Sequence, residues 1–327
     1  MKRFISHEEL ARDSRFKRAA ARGRLLESLP DDVEGVVALM EQVAPTLRKR
    51  VEGTELEKVY DELGPGYPFL TQFGSLHPED PNVEVQLKVR LHGIFVGELQ
   101  ALEGAGRTLW DFPEAPWEFR MNMARQCWDE SRHCQVFEKL LDHVGVDVGD
   151  YPETTTLFEA ACADDPTLRV AGVNRCLEGL ACDAFRAMID YAKEADDPVM
   201  EQAIDFVLAD ELTHVRFGSN WVKQFTRSDP DKFREAKEFQ RDVERRFSIG
   251  SGRSGRDDAA IGIAREERLE AGFTEEELRE LAEIADQGPS RDTLVEAAKV
   301  LRARHLARER GEPVEPMTWR PEEAAAG

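Results

Sequence analysis

Long apolar runs are missing from this sequence. No stretch approaches about 18 uncharged apolar residues, so no membrane-spanning helix is expected. A secretory signal is not expected either, because the run from Met1 to Glu9 turns acidic before an apolar segment forms. Cysteine is sparse: five residues, an odd number without framework spacing, argue against a disulfide scaffold and for reduced thiols in a cytoplasmic protein. Low-complexity tracts and short-period repeats are absent. Positive charge is outweighed, with 44 Lys and Arg against 65 Asp and Glu and a net charge of -21. Such a surface repels phosphate backbones, which argues against nucleic acid as a partner. The basic clusters at Arg15 to Arg24, Arg48 to Arg50 and Arg302 to Arg310 alternate with acids or Ala at helical spacing and read as solvated helix faces.

What remains is an amphipathic, strongly helical chain. Hydrophobic residues make up 41% of the 327, enough to build a core and exclude wholesale disorder. Apolar residues recur at i, i+3 and i+4 through runs longer than twenty residues, and alternating β-branched segments are few. Helix starts are well marked. Asp165-Pro166, Asp197-Pro198 and Asp229-Pro230 each place a capping acid before a proline suited to the first helical turn. Thr274 with Glu277 spells a capping box. The pattern predicts two or three helices within 1–80, then four long helices at about 84–110, 116–145, 166–195 and 198–227. A charged helix after Asp229, helices from Thr274 and Ser290, and a frayed tail complete the chain. The Gly/Ser-rich stretch Gly250 to Gly255 lacks the Lys-Ser/Thr of a phosphate loop and reads as a mobile loop or lid.

Two of the long helices echo each other. Asp129-Glu130-Ser131-Arg132-His133 and Asp210-Glu211-Leu212-Thr213-His214 are both Asp-Glu-x-x-His. The helix before each carries a lone acid in an apolar setting, Glu98 and Glu178. Residues i and i+3 share a helix face, so each Glu-x-x-His sets a carboxylate beside an imidazole. Two such helices with two single-Glu helices project four carboxylates and two imidazoles into one core, the ligand set of a di-iron or di-manganese carboxylate centre. Hard carboxylates with imidazoles suit Fe, Mn or a mixed pair, and two divalent ions cancel four negative charges that are otherwise costly to bury. The bland alternative is that these are solvated faces of charged helices. Acids at both -3 and -4 precede a given His roughly one time in 25, so two cases with matched upstream acids are a poor coincidence. The apolar neighbours Met121, Met123, Phe137, Leu140 and Leu141, and Ile204, Val207, Leu208, Val215 and Trp221, also count against solvation.

The pattern Glu98, Glu130-x-x-His133, Glu178, Glu211-x-x-His214 resembles the ferritin-like di-iron carboxylate superfamily. Asp129 to His133 is similar to the Asp-Glu-x-Arg-His motif of bacterial multicomponent monooxygenases, although Thr213 stands where the first motif has Arg132. The run Asp210 to Trp221, with Ala271-Gly272-Phe273-Thr274, resembles still more closely a functionally unassigned bacterial ferritin-like family. The resemblance covers about 84–227, more weakly to about 285, and implies an all-α fold with a ferritin-like four-helix di-metal bundle over 84–227; the residue pattern adds helical extensions over 1–80 and 228–312 and a flexible tail at 313–327. The resemblance further implies that Glu130 and Glu211 bridge two metal ions. Glu98 with His133 completes one shell and Glu178 with His214 the other. Asp129 and Asp210 would then accept from the imidazole N–H groups, each toward the His of the opposite half. Arg132 either pairs with such an Asp or faces solvent.

The activity implied is that of a non-haem di-iron, or Mn/Fe, oxidase or oxygenase using O2 on a small organic substrate by hydroxylation, N-oxygenation, desaturation or oxidative cleavage. An external electron donor such as a reductase or ferredoxin, and a homodimer, fit the same resemblance. Iron storage or detoxification, a tRNA-modifying hydroxylase and a non-catalytic helical scaffold are the alternatives. Length opposes the first and charge the second. Of the remaining residues, Cys127, Cys134, Cys176 and Cys182 read as packing groups, and His92 as structural. Glu103 and Asp183 are weak candidates for extra ligands. Trp110, Trp128 and Trp221 read as core.

Overall fold

The computed structural model describes residues 29–317 apart from 55, 74–75, 77, 79–82, 152–156, 159–162, 249–252, 254–260 and 287. The Gly250 to Gly255 loop, Arg253 excepted, lies outside the described residues, as do 1–28, Cys162 and 318–327. The described chain is helical, and its one β-type pairing is an isolated bridge between Arg253 and Ile261. None of its helices is long and apolar enough to cross a membrane.

The helices are α1 (Val33–Val51), α2 (Leu56–Leu63), α3 (Tyr67–Phe73), α4 (Val83–Asp111), α5 (Trp117–Val144), α6 (Pro166–Val170), α7 (Glu178–Glu194), α8 (Pro198–Phe225), α9 (Pro230–Ser248), α10 (Arg265–Glu270), α11 (Glu275–Ala285) and α12 (Arg291–Glu309). Their starts follow the local chemistry of the sequence. Asp165 accepts from the Thr167 and Leu168 amides, Asp197 from Met200 and Asp229 from Lys232, while Thr274 and Glu277 form a reciprocal capping box. The helix expected over 166–195 is continuous but not uniform. Its segment Ala171–Leu177 is a π-helical turn between α6 and α7, and the Glu178 amide bonds back to the Val173 carbonyl.

α4 packs along α5, α7 along α8, and α8 crosses to α5. Two apolar clusters cement this group. One holds Leu91, Phe95, Phe137, Phe185, Ile204 and Val207, with Phe137 stacked on Phe185 at 5.6 Å between ring centroids. The other holds Phe119, Met123, Trp221 and Phe239, with Phe119 set edge-on to Trp221. Each such side chain contributes about 1.5–3 kcal/mol on burial. A third cluster joins α1, α2 and α3 to α12 through Val36, Met40, Leu63 and Leu301, and Arg304 clamps Glu41 across it. Arg304 also donates to the Glu315 carbonyl, and Met317 packs on the same cluster.

Three apolar residues sit where the sequence reading did not put them. Trp110 is 74% exposed, Trp128 62% and Met121 47%. Trp128 and Met121 lie on the outer face of α5, while Met123, Glu130 and Phe137 point inward. Trp110 ends α4 at its solvent side. The four cysteines of the described chain are free thiols, and burial pushes Cys127 up to about 11 and Cys134 to about 12. They act as small packing groups.

Candidate metal centre

Between the two clusters of the helix group, the inward faces of α4, α5, α7 and α8 turn from apolar to ionisable. Glu98 follows Phe95 and Val96 on α4, Glu130 and His133 lie between Met123 and Phe137 on α5, Glu178 is the first residue of α7, and Glu211 and His214 follow Leu208 on α8. All six are buried. The helical i, i+3 spacing brings His133 Nδ1 to 3.0 Å from Glu130 Oε2 and His214 Nδ1 to 3.1 Å from Glu211 Oε2. The halves interlock: His133 Nδ1 also lies 3.2 Å from Glu98 Oε2 and 3.2 Å from Glu211 Oε1, and His214 Nδ1 lies 3.3 Å from Glu130 Oε1.

Ligand atoms from these residues converge into two groups of four, each with its atoms within 4.8 Å of one another. One group is Glu98, Glu130, His133 and Glu211; the other is Glu130, Glu178, Glu211 and His214. Glu130 and Glu211 belong to both, and these buried groups could each hold a metal ion. The far nitrogens of the imidazoles face acids of the opposite half. His133 Nε2 lies 3.4 Å from Asp210 Oδ2, and His214 Nε2 lies 3.3 Å from Asp129 Oδ2. Each imidazole thereby turns Nδ1 toward the cluster and Nε2 toward a carboxylate of the opposite half.

Several groups in this shell were not singled out from sequence. Arg125 donates through Nε to both oxygens of Asp129 at 2.8 and 2.7 Å and reaches Asp210 at 3.3 Å. Arg132 bonds both Asp129 and Asp210, the latter at 2.8 Å, so of its two readings the paired one holds. Gln126 donates to Glu130 at 3.0 Å and to Glu178 at 2.6 Å, and accepts from Asn174 at 2.7 Å. Asn174 lies in the π turn, which presses on Gly218 of α8. A Cβ at Gly218 would stand 2.7 Å from Asn174 Cβ and 3.1 Å from the Arg175 amide nitrogen. A helical repeat was available as a signal: Arg125, Gln126 and Asn174 each precede a site acid by four residues.

Electrostatics fit a cationic occupant. Burial pushes the Glu98 carboxyl up to about 8, with Glu211 and Glu130 adding to it and His133 opposing. Burial, then the charges of Glu211 and Glu130, hold Glu178 well above the usual range. Burial alone would also raise Glu211, but His214 and His133 pull it down to about 2. Burial would lower both imidazoles, yet the surrounding carboxylates raise them strongly. Glu98 and Glu178 therefore hold protons unless a cation takes the protons' place. Glu211 Oε1 is buried with His133 Nδ1 3.2 Å away, but no donor is aligned on it. Two divalent cations would balance the four carboxylates, satisfy that oxygen and replace the protons.

The weaker ligand candidates lie elsewhere. Glu103 is exposed. Asp183 is fully buried, but it accepts from Arg253 at 2.8 Å, from Arg268 at 2.9 and 2.7 Å, and from the Ala264 amide at 2.8 Å. His92 accepts from the Gly149 amide and packs edge-on to Tyr151, a structural role. Beside the acids a cavity of about 530 Å³ opens between α4 and α7, and both Glu98 and Glu178 form part of its wall.

A family model described as protein of unknown function (DUF455) matches residues 46–279. No curated protein and no solved structure matches the chain.

Proposed function

The chain belongs to DUF455, and for this member of it we propose a ferritin-like di-metal oxidoreductase: a non-haem iron, or Mn/Fe, oxidase or oxygenase that uses O2 on a small organic substrate. The observation that carries this reading is the doubled Glu and His cluster, with Glu130 and Glu211 common to both halves. A pair of redox-active ions supplies the reduction of O2 and the oxidation of the substrate.

The chain's own residues do the rest. Glu130 and Glu211, common to both groups, would hold both cations, with His133 completing one group and His214 the other. Asp210 and Asp129 orient the imidazoles and keep the proton on Nε2, so that Nδ1 is free to coordinate. Arg125 and Arg132 bond both aspartates and hold them in place. Glu98 and Glu178 stand where the cluster meets the cavity, so they are the two site acids that a small molecule in the cavity would meet first. The apolar clusters above and below the site exclude water.

The cavity favours a small-molecule reaction over iron storage, because its wall is apolar apart from a few side chains and its size falls within the range of about 300–1,000 Å³ typical of ligand pockets. The test is O2 uptake after anaerobic Fe(II) loading. Wild-type protein should consume O2 in proportion to bound iron, and Glu211→Ala protein should not. Equal uptake by the two proteins would contradict the assignment.

A further inference from the structure

The cavity beside Glu98 and Glu178 has a chemical grain. Along α4 its wall is cut from small residues: Gly93, Gly97, Ala101 and Gly104. Glycine inside a helix costs about 1 kcal/mol relative to alanine, so three in four turns need a reason. Packing does not supply one. A Cβ at Gly93 would meet nothing within 4 Å, at Gly97 only Leu157 Cδ1 at 3.8 Å, and at Gly104 only Phe158 Cδ2 at 3.9 Å. Ala181 and Ala184 of α7 continue the small lining opposite. The missing side chains leave room for a ligand.

Three charged side chains line this space among the described residues: Glu98, Glu178 and Arg90. The two acids belong to the metal centre. Arg90 has no ion pair or hydrogen bond there, and burial without a compensating acid pulls its pKa down to about 10, which still leaves it cationic at neutral pH. An unpaired guanidinium in an acid-rich protein is an open valence. It stands eight residues before Glu98 on the same helix, about 12 Å along the axis. Gly93 beside it is exposed whereas Glu98 is buried, so the cavity runs from solvent at the Arg90 end to the acids at its inner end. Gln100 is a neutral neighbour already tied down, its Nε2 donating to the Val96 carbonyl and its Oε1 accepting from the Phe158 amide.

We infer that this cavity binds an apolar monocarboxylate, its carboxylate on Arg90 at the entrance and its hydrocarbon body along the Gly93–Gly97–Ala101 face toward Glu98 and Glu178. A planar carboxylate matches the guanidinium fork, and an aliphatic or aromatic body matches the wall. The assignment rests on the proposed function only for which end of the ligand reacts; the binding itself does not need the metal.

Calorimetric titration with dodecanoate below its micelle concentration tests the inference, with methyl dodecanoate as the uncharged control and metal content measured on the same preparations. Wild-type protein should bind the carboxylate about tenfold or more tightly than the ester. Arg90→Met should erase that preference while leaving ester binding unchanged, Arg90→Lys should restore part of it, and Gly93→Leu should weaken both ligands by filling the groove. Equal affinity for acid and ester in the wild type, or an undiminished preference in Arg90→Met, would overturn it. The wild-type comparison decides even where a variant fails to fold. Arg90-dependent binding by protein that takes up no metal would uphold this inference and sink the oxidase reading; stoichiometric metal without such binding would do the reverse.

Discussion

Asp210 and His133 meet across two helices, Oδ2 to Nε2 at 3.4 Å, and Asp129 and His214 repeat the contact in the opposite sense at 3.3 Å. Each Asp-Glu-x-x-His segment thus supplies the outward acceptor for the other segment's imidazole, so neither half of the site is complete alone. Asp210→Asn and Asp129→Asn should each lower metal affinity about 10- to 100-fold while leaving the helices intact. Competition against a chelator, alongside circular dichroism, measures both.

The close approach of the π turn to α8 depends on Gly218. With Asn174 Cβ and the Arg175 amide so near, Gly218→Ala must push the turn outward and carry Asn174 away from Gln126. The expected cost is about 1–3 kcal/mol in denaturant unfolding. Metal should be retained less well in the same variant, because Gln126 also steadies Glu130 and Glu178.

Behind the site, Asp183 joins α7 to α10 through Arg268 and to Arg253, which also bonds Glu244 of α9 at 2.6 Å. Burial would raise the Asp183 carboxyl, but the two guanidinium groups hold it down. Asp183→Asn leaves two buried cations short of charge and should cost about 3–5 kcal/mol. Thermal unfolding would show it, and a drop under about 1 kcal/mol would mean that the cations find water instead.

Glu277 provides the acid-side pH dependence. Burial would raise its carboxyl, but Arg175, at 2.9 Å, and Lys237 bring it down to about 2. Burial lowers the Lys237 ammonium and the Arg175 guanidinium too, yet both stay protonated in acid, so the carboxyl sets the window. A depressed carboxyl stabilises fully above its ordinary value of 4.5, and that stability is lost as pH falls toward 2. Solvent screening of the partly exposed carboxyl and the cost of burying both cations reduce the contribution to about 1–2 kcal/mol. Glu277→Gln, which keeps the reach to the Thr274 amide, should be less stable than wild type at pH 7 and match it near pH 2. A gap independent of pH would refute the ion-pair account.

The sequence made some of this legible and hid the rest for physical reasons. Caps at Asp165, Asp197, Asp229 and Thr274 are local, so type and spacing suffice to read them. The convergence of Glu98, Glu130, His133, Glu178, Glu211 and His214 follows from i, i+3 geometry and the internal echo. The π turn carries no local signature, because it answers to the fit against Gly218 across the bundle. Asp183 reads from sequence like a spare ligand five residues past Glu178; its partners Arg253 and Arg268 come from segments about 70 to 85 residues away. Trp128 and Trp110 show the converse, aromatics that composition suggests are core and helix phase leaves outside.

Metal stoichiometry tests the central claim most directly. Protein expressed with added iron and analysed by elemental mass spectrometry should carry two ions per chain in the wild type and close to none in Glu130→Ala and Glu211→Ala, because each of these residues belongs to both groups of ligands. Two ions retained by either variant, or a wild-type protein that takes up no stoichiometric metal, would contradict the account.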